Sequence, residues 1–118
     1  MKEIKAYIRP DRVDDVILAL EEKGVQGMTV IDVYALAEWT DPRRTVYSSK
    51  YVEKYGKTVK LELICRESEI ETLIEAIRTA ACTGHPGDGK IFIADIYEAV
   101  SIRTGKRGYD AIGSESDD

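Results

Sequence analysis

A chain of 118 residues, 43% hydrophobic and 33% charged, has the size and composition of one ordinary soluble domain. Its net charge of -5 argues against binding along a nucleic-acid backbone, which needs surplus cations to displace counterions. The start, Met1-Lys2-Glu3-Ile4-Lys5, lacks an apolar leader core and no apolar run approaches the roughly 20 residues of a bilayer span, so a cytoplasmic protein without membrane insertion is expected.

Residues 2 to 9 alternate, with Ile4, Ala6 and Ile8 on one face and Lys5, Tyr7 and Arg9 on the other, the period of a half-buried strand. Pro10 ends it, and Asp11 is placed to cap a helix whose apolar positions Val13, Val16, Ile17 and Leu20 share one side; Gly24 closes that helix. A second strand is expected over 28–36, from Met28, Val30, Val33 and Leu36. Periodicity then vanishes over 37–55, where the polar, basic segment 38–51 carries three aromatics; a connection this long in so small a domain is functional or disordered, and is the first place to look for a partner surface. A third strand follows over 57–64 (Val59, Leu61, Leu63), and a second helix over 67–82, with Ile70, Leu73, Ile74 and Ile77 at helical spacing and Gly84 as its stop. Ile91, Phe92, Ile93, Ile96 and Val100 read as a long fourth strand over 90–100.

The order βαββαβ predicts an α+β, ferredoxin-like fold, an antiparallel sheet with both helices on one face. Tyr7, Val30 and Phe92 would then leave apolar area on the other face, which contact between identical subunits covers most simply. Cys65 and Cys82 lack the spacing of a zinc site or redox pair and read as buried thiols. Residues 1–112 form the single expected domain, and 113–118 a frayed acidic tail.

The stretch that carries chemistry is Thr83-Gly84-His85-Pro86-Gly87-Asp88-Gly89-Lys90. Its glycines let backbone amides converge on an anion, and Lys90 adds a point charge, which is what a phosphate cradle requires. The same residues also suit a plain turn with glycine in left-handed positions. Gly84 to Lys90 match part of a P-loop, but Ile91 stands where that motif has its metal-binding hydroxyl, and the segment runs from helix into strand rather than the reverse, which excludes a P-loop NTPase. A second cationic cluster, Ser101-Ile102-Arg103-Thr104-Gly105-Lys106-Arg107-Gly108, follows the fourth strand, and an arginine there could reach a polyphosphate. Lone His85 in the turn reads as loop surface or as a phosphate companion.

Ile8-Arg9-Pro10 with Asp14-Asp15-Val16, Gly27-Met28-Thr29-Val30, Thr83-Gly84 with Gly87-Asp88-Gly89-Lys90-Ile91-Phe92, and Ile102-Arg103-Thr104-Gly105 with Asp110-Ala111-Ile112 together resemble the PII signal-transduction proteins. The resemblance implies a non-enzymatic regulator: a homotrimer holding an adenine nucleotide in each cleft between subunits. It implies that Gly87, Asp88, Gly89 and Lys90 line the phosphates, that Arg103 reaches across from the neighbouring subunit, and that Thr29 and Glu62 contact the nucleoside. Residues 37–55 then correspond to the family's T-loop, which docks onto a transporter, enzyme or regulator; Trp39, Arg43, Arg44, Tyr47 and Tyr51 are its candidate contacts. Ser49 and Tyr51 fall where some members are modified, or are unmodified loop surface.

The chain also departs from the family's pattern. Trp39 stands where a Gln usually organises Mg²⁺-ATP and 2-oxoglutarate, preceded by Glu38 in place of Arg, and a loop-end lysine that helps hold the oxoacid falls on Thr58, with Lys57 one place away. Ser101 replaces the first of two phosphate-site arginines, which weakens the hold on an outermost phosphate, and Ala35 and Ala37 replace two glycines. The pattern is similar to PII-like members that respond to bicarbonate. The expected function is therefore a sensor of ADP, AMP or ATP with a small anion such as bicarbonate as second effector, participation of Mg²⁺ being left open. The alternatives are a nitrogen-regulatory sensor of ATP, ADP and 2-oxoglutarate, or a slow nucleotide hydrolase.

Overall fold

A computed structural model describes residues 1–37, 39–40 and 57–113. Arg43, Arg44, Tyr47, Ser49 and Tyr51, with the rest of 41–56, Glu38 and the tail from Ser114, lie outside the described residues.

The elements are β1 (Lys2–Ile8), α1 (Val13–Glu22), β2 (Thr29–Tyr34), β3 (Lys57–Cys65), α2 (Ile70–Ala81), β4 (Gly89–Asp95) and a final turn of helix, α3 (Tyr109–Ile112). The four strands form one sheet in the order β2-β3-β1-β4. Each described pairing is antiparallel, with Ala6 opposite Leu61 on one side and Ile91 on the other. This is the ferredoxin-like βαββαβ arrangement read from the sequence.

Alternation along β1 works as expected: Ile4, Ala6 and Ile8 are 2% exposed or less and meet Leu61, Leu63, Val16, Leu20, Leu73 and Ile77 in one core. Each Ile, Leu or Val side chain buried this completely contributes roughly 1.5–3 kcal/mol. Both helices are introduced by short 3₁₀ turns, Pro10–Arg12 and Glu67–Glu69. Asp11 lies inside the first of these and caps nothing; α1 starts two residues later, at Val13. At the second turn the Glu69 carboxylate accepts a hydrogen bond from the Arg66 amide at 2.9 Å.

Three further expectations are corrected. The fourth strand stops at Asp95 because its ladder with β1 ends at the pair Lys2–Asp95, with one further bond from the Ile96 amide to the Met1 carbonyl. Beyond it Tyr97 is fully exposed, and the chain doubles back through a bridge between Val100 and Arg107. Val30 pairs with Leu61 and so lies on the helix side of the sheet; it is 49% exposed because β2 is an edge strand that the helices leave uncovered. Cys65 is buried, but Cys82, one residue past α2 on extended backbone, is exposed.

Candidate functional site

The segment leaving α2 is organised around one carboxylate. Asp88 accepts hydrogen bonds from the Thr83 amide at 2.8 Å, the Gly84 amide at 3.0 Å and the Thr83 hydroxyl. Arg9, just past the end of β1, reaches the same turn with two arms: Nε donates to Asp88 Oδ1 at 2.9 Å and a terminal nitrogen to the Pro86 carbonyl at 3.0 Å. The guanidinium thereby ties both halves of the turn to the sheet, a fork geometry lysine cannot supply. Desolvation pushes the Asp88 carboxyl upward, but bonds from Thr83, Arg9 and the Thr83 and Gly84 amides outweigh it and hold the group well below the usual carboxylate range.

Gly89 completes the attachment. It pairs with Ile8 at a φ of +115°, and a Cβ there would lie 1.8 Å from the Tyr7 carbonyl oxygen, so only glycine allows the turn to approach β1 this closely. Gly87 also sits at positive φ, +100°. The Asp88 side chain and the Thr83, Gly84 and His85 amides are engaged inside the turn, the last through the Thr83 hydroxyl at 3.2 Å. Its last residues, Asp88 to Lys90, face an opening of about 330 Å³ that Tyr7 and Cys82 also line, over an apolar floor.

Thr29 and Glu62 lie elsewhere. They are register partners on β2 and β3 and line a separate recess of about 440 Å³ with Gly27, Met28, Ile64 and Tyr109. Arg66 forms part of that wall, its guanidinium 4.3 Å from the Tyr109 ring centre. Because β2 and β4 are the two edges of the sheet, the halves of the expected site stand three strand spacings apart within one chain, roughly 14 Å. Arg103 is on the exposed surface of a tight turn held by bonds from the Ser101 amide to the Lys106 carbonyl and from the Gly105 amide to the Ser101 carbonyl, both 2.8 Å. Ser101 itself is buried.

Trp39 packs on the face of the sheet opposite the helices. Its ring centre is 5.2 Å from that of Tyr7 and 5.9 Å from that of Phe92, all three rings meeting edge to face. The Thr40 hydroxyl donates to the Ala35 and Ala37 carbonyls, both at 2.9 Å, which turns the chain sharply here. The buried Thr58 hydroxyl donates to the Ile8 carbonyl at 2.6 Å.

The structure thus brings Gly87, Asp88, Gly89 and Lys90 together and places Thr29 beside Glu62, but does not unite these groups within one protomer, and Arg103 lines neither recess. Sequence reading gave no role to Arg9, which is 79 positions from Asp88. The signal that finds it is register: once Ile8 pairs with Gly89, antiparallel geometry puts Arg9 beside Asp88.

Comparison with known proteins agrees. The family model for nitrogen regulatory protein P-II matches residues 1–106. Nitrogen regulatory protein P-II from Rhodospirillum rubrum is 44% identical over 112 residues, covering 95% of this chain and all of the relative. The Mesorhizobium japonicum protein of that name is 42% identical with the same coverage, and nitrogen regulatory protein P-II 1 from Methanothermobacter thermautotrophicus is 40% identical, covering 95% of this chain and 97% of its own length. Sheet topology, the glycine turn and near full-length similarity converge: the chain belongs to the P-II family of nitrogen regulatory, signal-transducing proteins.

Proposed function

We propose that the protein is a trimeric sensor that holds ADP, AMP or ATP in clefts between protomers and passes occupancy to a transporter, enzyme or regulator through residues 37–55. The observation that carries this reading is the split of the site between opposite edges of the sheet. Thr29 on the edge strand β2, with Glu62 beside it on β3, and the glycine turn at the opposite edge can enclose one small molecule only if the edge of a second copy is brought alongside. The apolar surface left by one chain supports the same assembly: Val30, Tyr34, Phe92, Tyr97 and Ile102 are all about half exposed or more. On the family resemblance, Arg103, which lies on an exposed turn, would reach the phosphates of a neighbour's cleft.

For the second effector we favour a small anion such as bicarbonate. Trp39 offers no side-chain amide to an oxoacid and packs edge to face on Tyr7 and Phe92, while the Thr58 hydroxyl is spent on the Ile8 carbonyl. The name shared by the relatives, nitrogen regulatory protein P-II, favours the other reading, a nitrogen-regulatory sensor, for which ATP or ADP with 2-oxoglutarate would be the ligands. Calorimetry with each nucleotide, alone and with bicarbonate or 2-oxoglutarate, tests both. The expected result is nucleotide binding that bicarbonate alters and 2-oxoglutarate does not; the absence of any nucleotide binding at millimolar concentration ends the proposal. Ligand control of the partner further requires unequal affinity for the two states of the protein, since equal affinity shifts no equilibrium. Sustained phosphate release, abolished in Lys90→Ala, would instead mark a hydrolase.

A further inference from the structure

We infer that Arg9 and Asp88 are positioning residues for nucleotide phosphates: their side chains do not touch the ligand, but set the turn that does. The inference rests on the proposed nucleotide site and deepens it. Asp88 stands inside the phosphate-binding sequence, where a ligand contact is expected of it. Its carboxylate points the other way, into three groups of the turn's first half and the Arg9 guanidinium. An anionic side chain aimed at a polyphosphate would repel it; here the Arg9 charge, 2.9 Å away, offsets that of Asp88. The Lys90 ammonium then meets the ligand without a competing carboxylate.

The geometry also explains why Arg rather than Lys stands at position 9. Nε engages Asp88 while the terminal nitrogen engages the Pro86 carbonyl, so one rigid plane fixes two points of the turn two residues apart. With Gly89 pressed against the Tyr7 carbonyl as a third anchor, Gly87 to Lys90 are held in one arrangement at the end of β1. A ligand meeting a preformed turn avoids the ordering cost it would otherwise carry. Lys90 and Arg9 are therefore energetically coupled although only Lys90 contacts phosphate.

A double-mutant cycle tests this, with ADP affinity measured by calorimetry on the wild-type protein, Arg9→Lys, Lys90→Ala and the double variant. Melting temperature and assembled mass of each unliganded variant are recorded alongside. Arg9→Lys keeps the charge and removes the fork: ADP affinity is expected to fall about tenfold or more with mass unchanged, and adding Lys90→Ala to it costs at least threefold less than Lys90→Ala alone. Asp88→Asn repeats the test from the other side of the pair, should Arg9→Lys fail to fold. Losses that simply multiply, or ADP affinity within twofold of wild type in both positioning variants, overturn the inference while leaving the nucleotide site standing. If the wild-type protein binds no ADP, the nucleotide reading itself falls.

Discussion

The two faces of the sheet are built from alternate residues of the same strands and end in different conditions. On the helix side, Ile4, Ala6, Ile8, Leu61 and Leu63 are sealed beneath α1 and α2. On the other side, Lys5, Tyr7, Lys60 and Glu62 are half-buried, and Phe92 is 47% exposed against the edges of Tyr7 and Trp39. Ion pairs between Lys5 and Glu3, at 3.4 Å, and between Lys60 and Glu62, at 3.7 Å, lie among these aromatics. One face is finished by its own chain, while the other is a mixed surface of the kind that a neighbouring protomer or a loop completes. Stability should follow the first face, and assembly and signalling the second.

The largest test of that division is Leu61→Ala. Leu61 is 1% exposed at the centre of the helix-side core, so truncation removes buried area and leaves a cavity, an expected loss of about 2–5 kcal/mol in urea unfolding. Phe92→Ala, on the opposite face, should lose clearly less. Equal losses at the two positions would break the comparison.

A smaller effect is expected at Asp88, where turn and sheet edge meet. Asp88→Asn leaves Arg9 and two amides with a weaker acceptor, and about 1–3 kcal/mol of stability should be lost near neutral pH. The pH dependence has a definite sign. The folded carboxyl titrates below the unfolded one, so its contribution is complete above the unfolded value of about 3.9 and disappears as pH falls from there toward the folded value. The gap between wild-type and Asp88→Asn urea midpoints should therefore be constant from pH 7 to about 5 and narrow below 4. A gap that widens on acidification would contradict the assigned network.

The helix-side face was readable in the sequence because its physics is local and periodic. Ile4, Ala6 and Ile8 announce a strand, Val13, Val16, Ile17 and Leu20 a helix, and the order of elements then leaves few topologies. The glycine turn was readable as composition, and its likeness to a family supplied roles that composition could not. Register and partners were not readable. The contact between Arg9 and Asp88 needs β1 already paired with β4, and the placement of Val30 needs β2 already paired with β3. The overlong fourth strand has a different cause: Ile96 and Val100 look like strand core, yet Val100 is 50% exposed beside a fully exposed Tyr97. Apolar residues signal burial without saying by which chain. Cys82 shows the converse, a residue type usually buried that here lies at the mouth of the opening beside Lys90.

The smallest expected effect isolates the open face itself. Trp39 is the only tryptophan, so its emission reports on one place, the edge-to-face cluster with Tyr7 and Phe92. Each such ring contact is worth about 0.5–1.5 kcal/mol beyond the area it buries, enough to bias where the start of the 37–55 segment rests. Phe92→Ala removes one wall of the cluster and should move the emission to longer wavelength as the indole meets water, with at most about 1–2 kcal/mol lost in unfolding. Tyr7→Phe keeps both ring contacts and should leave the spectrum nearly unchanged, which separates loss of packing from a general response to mutation on this face. If added nucleotide moves wild-type emission in the direction that Phe92→Ala does, the cluster loosens as the site fills. The open face then transmits occupancy as well as supporting assembly, and an unaltered spectrum would confine it to assembly.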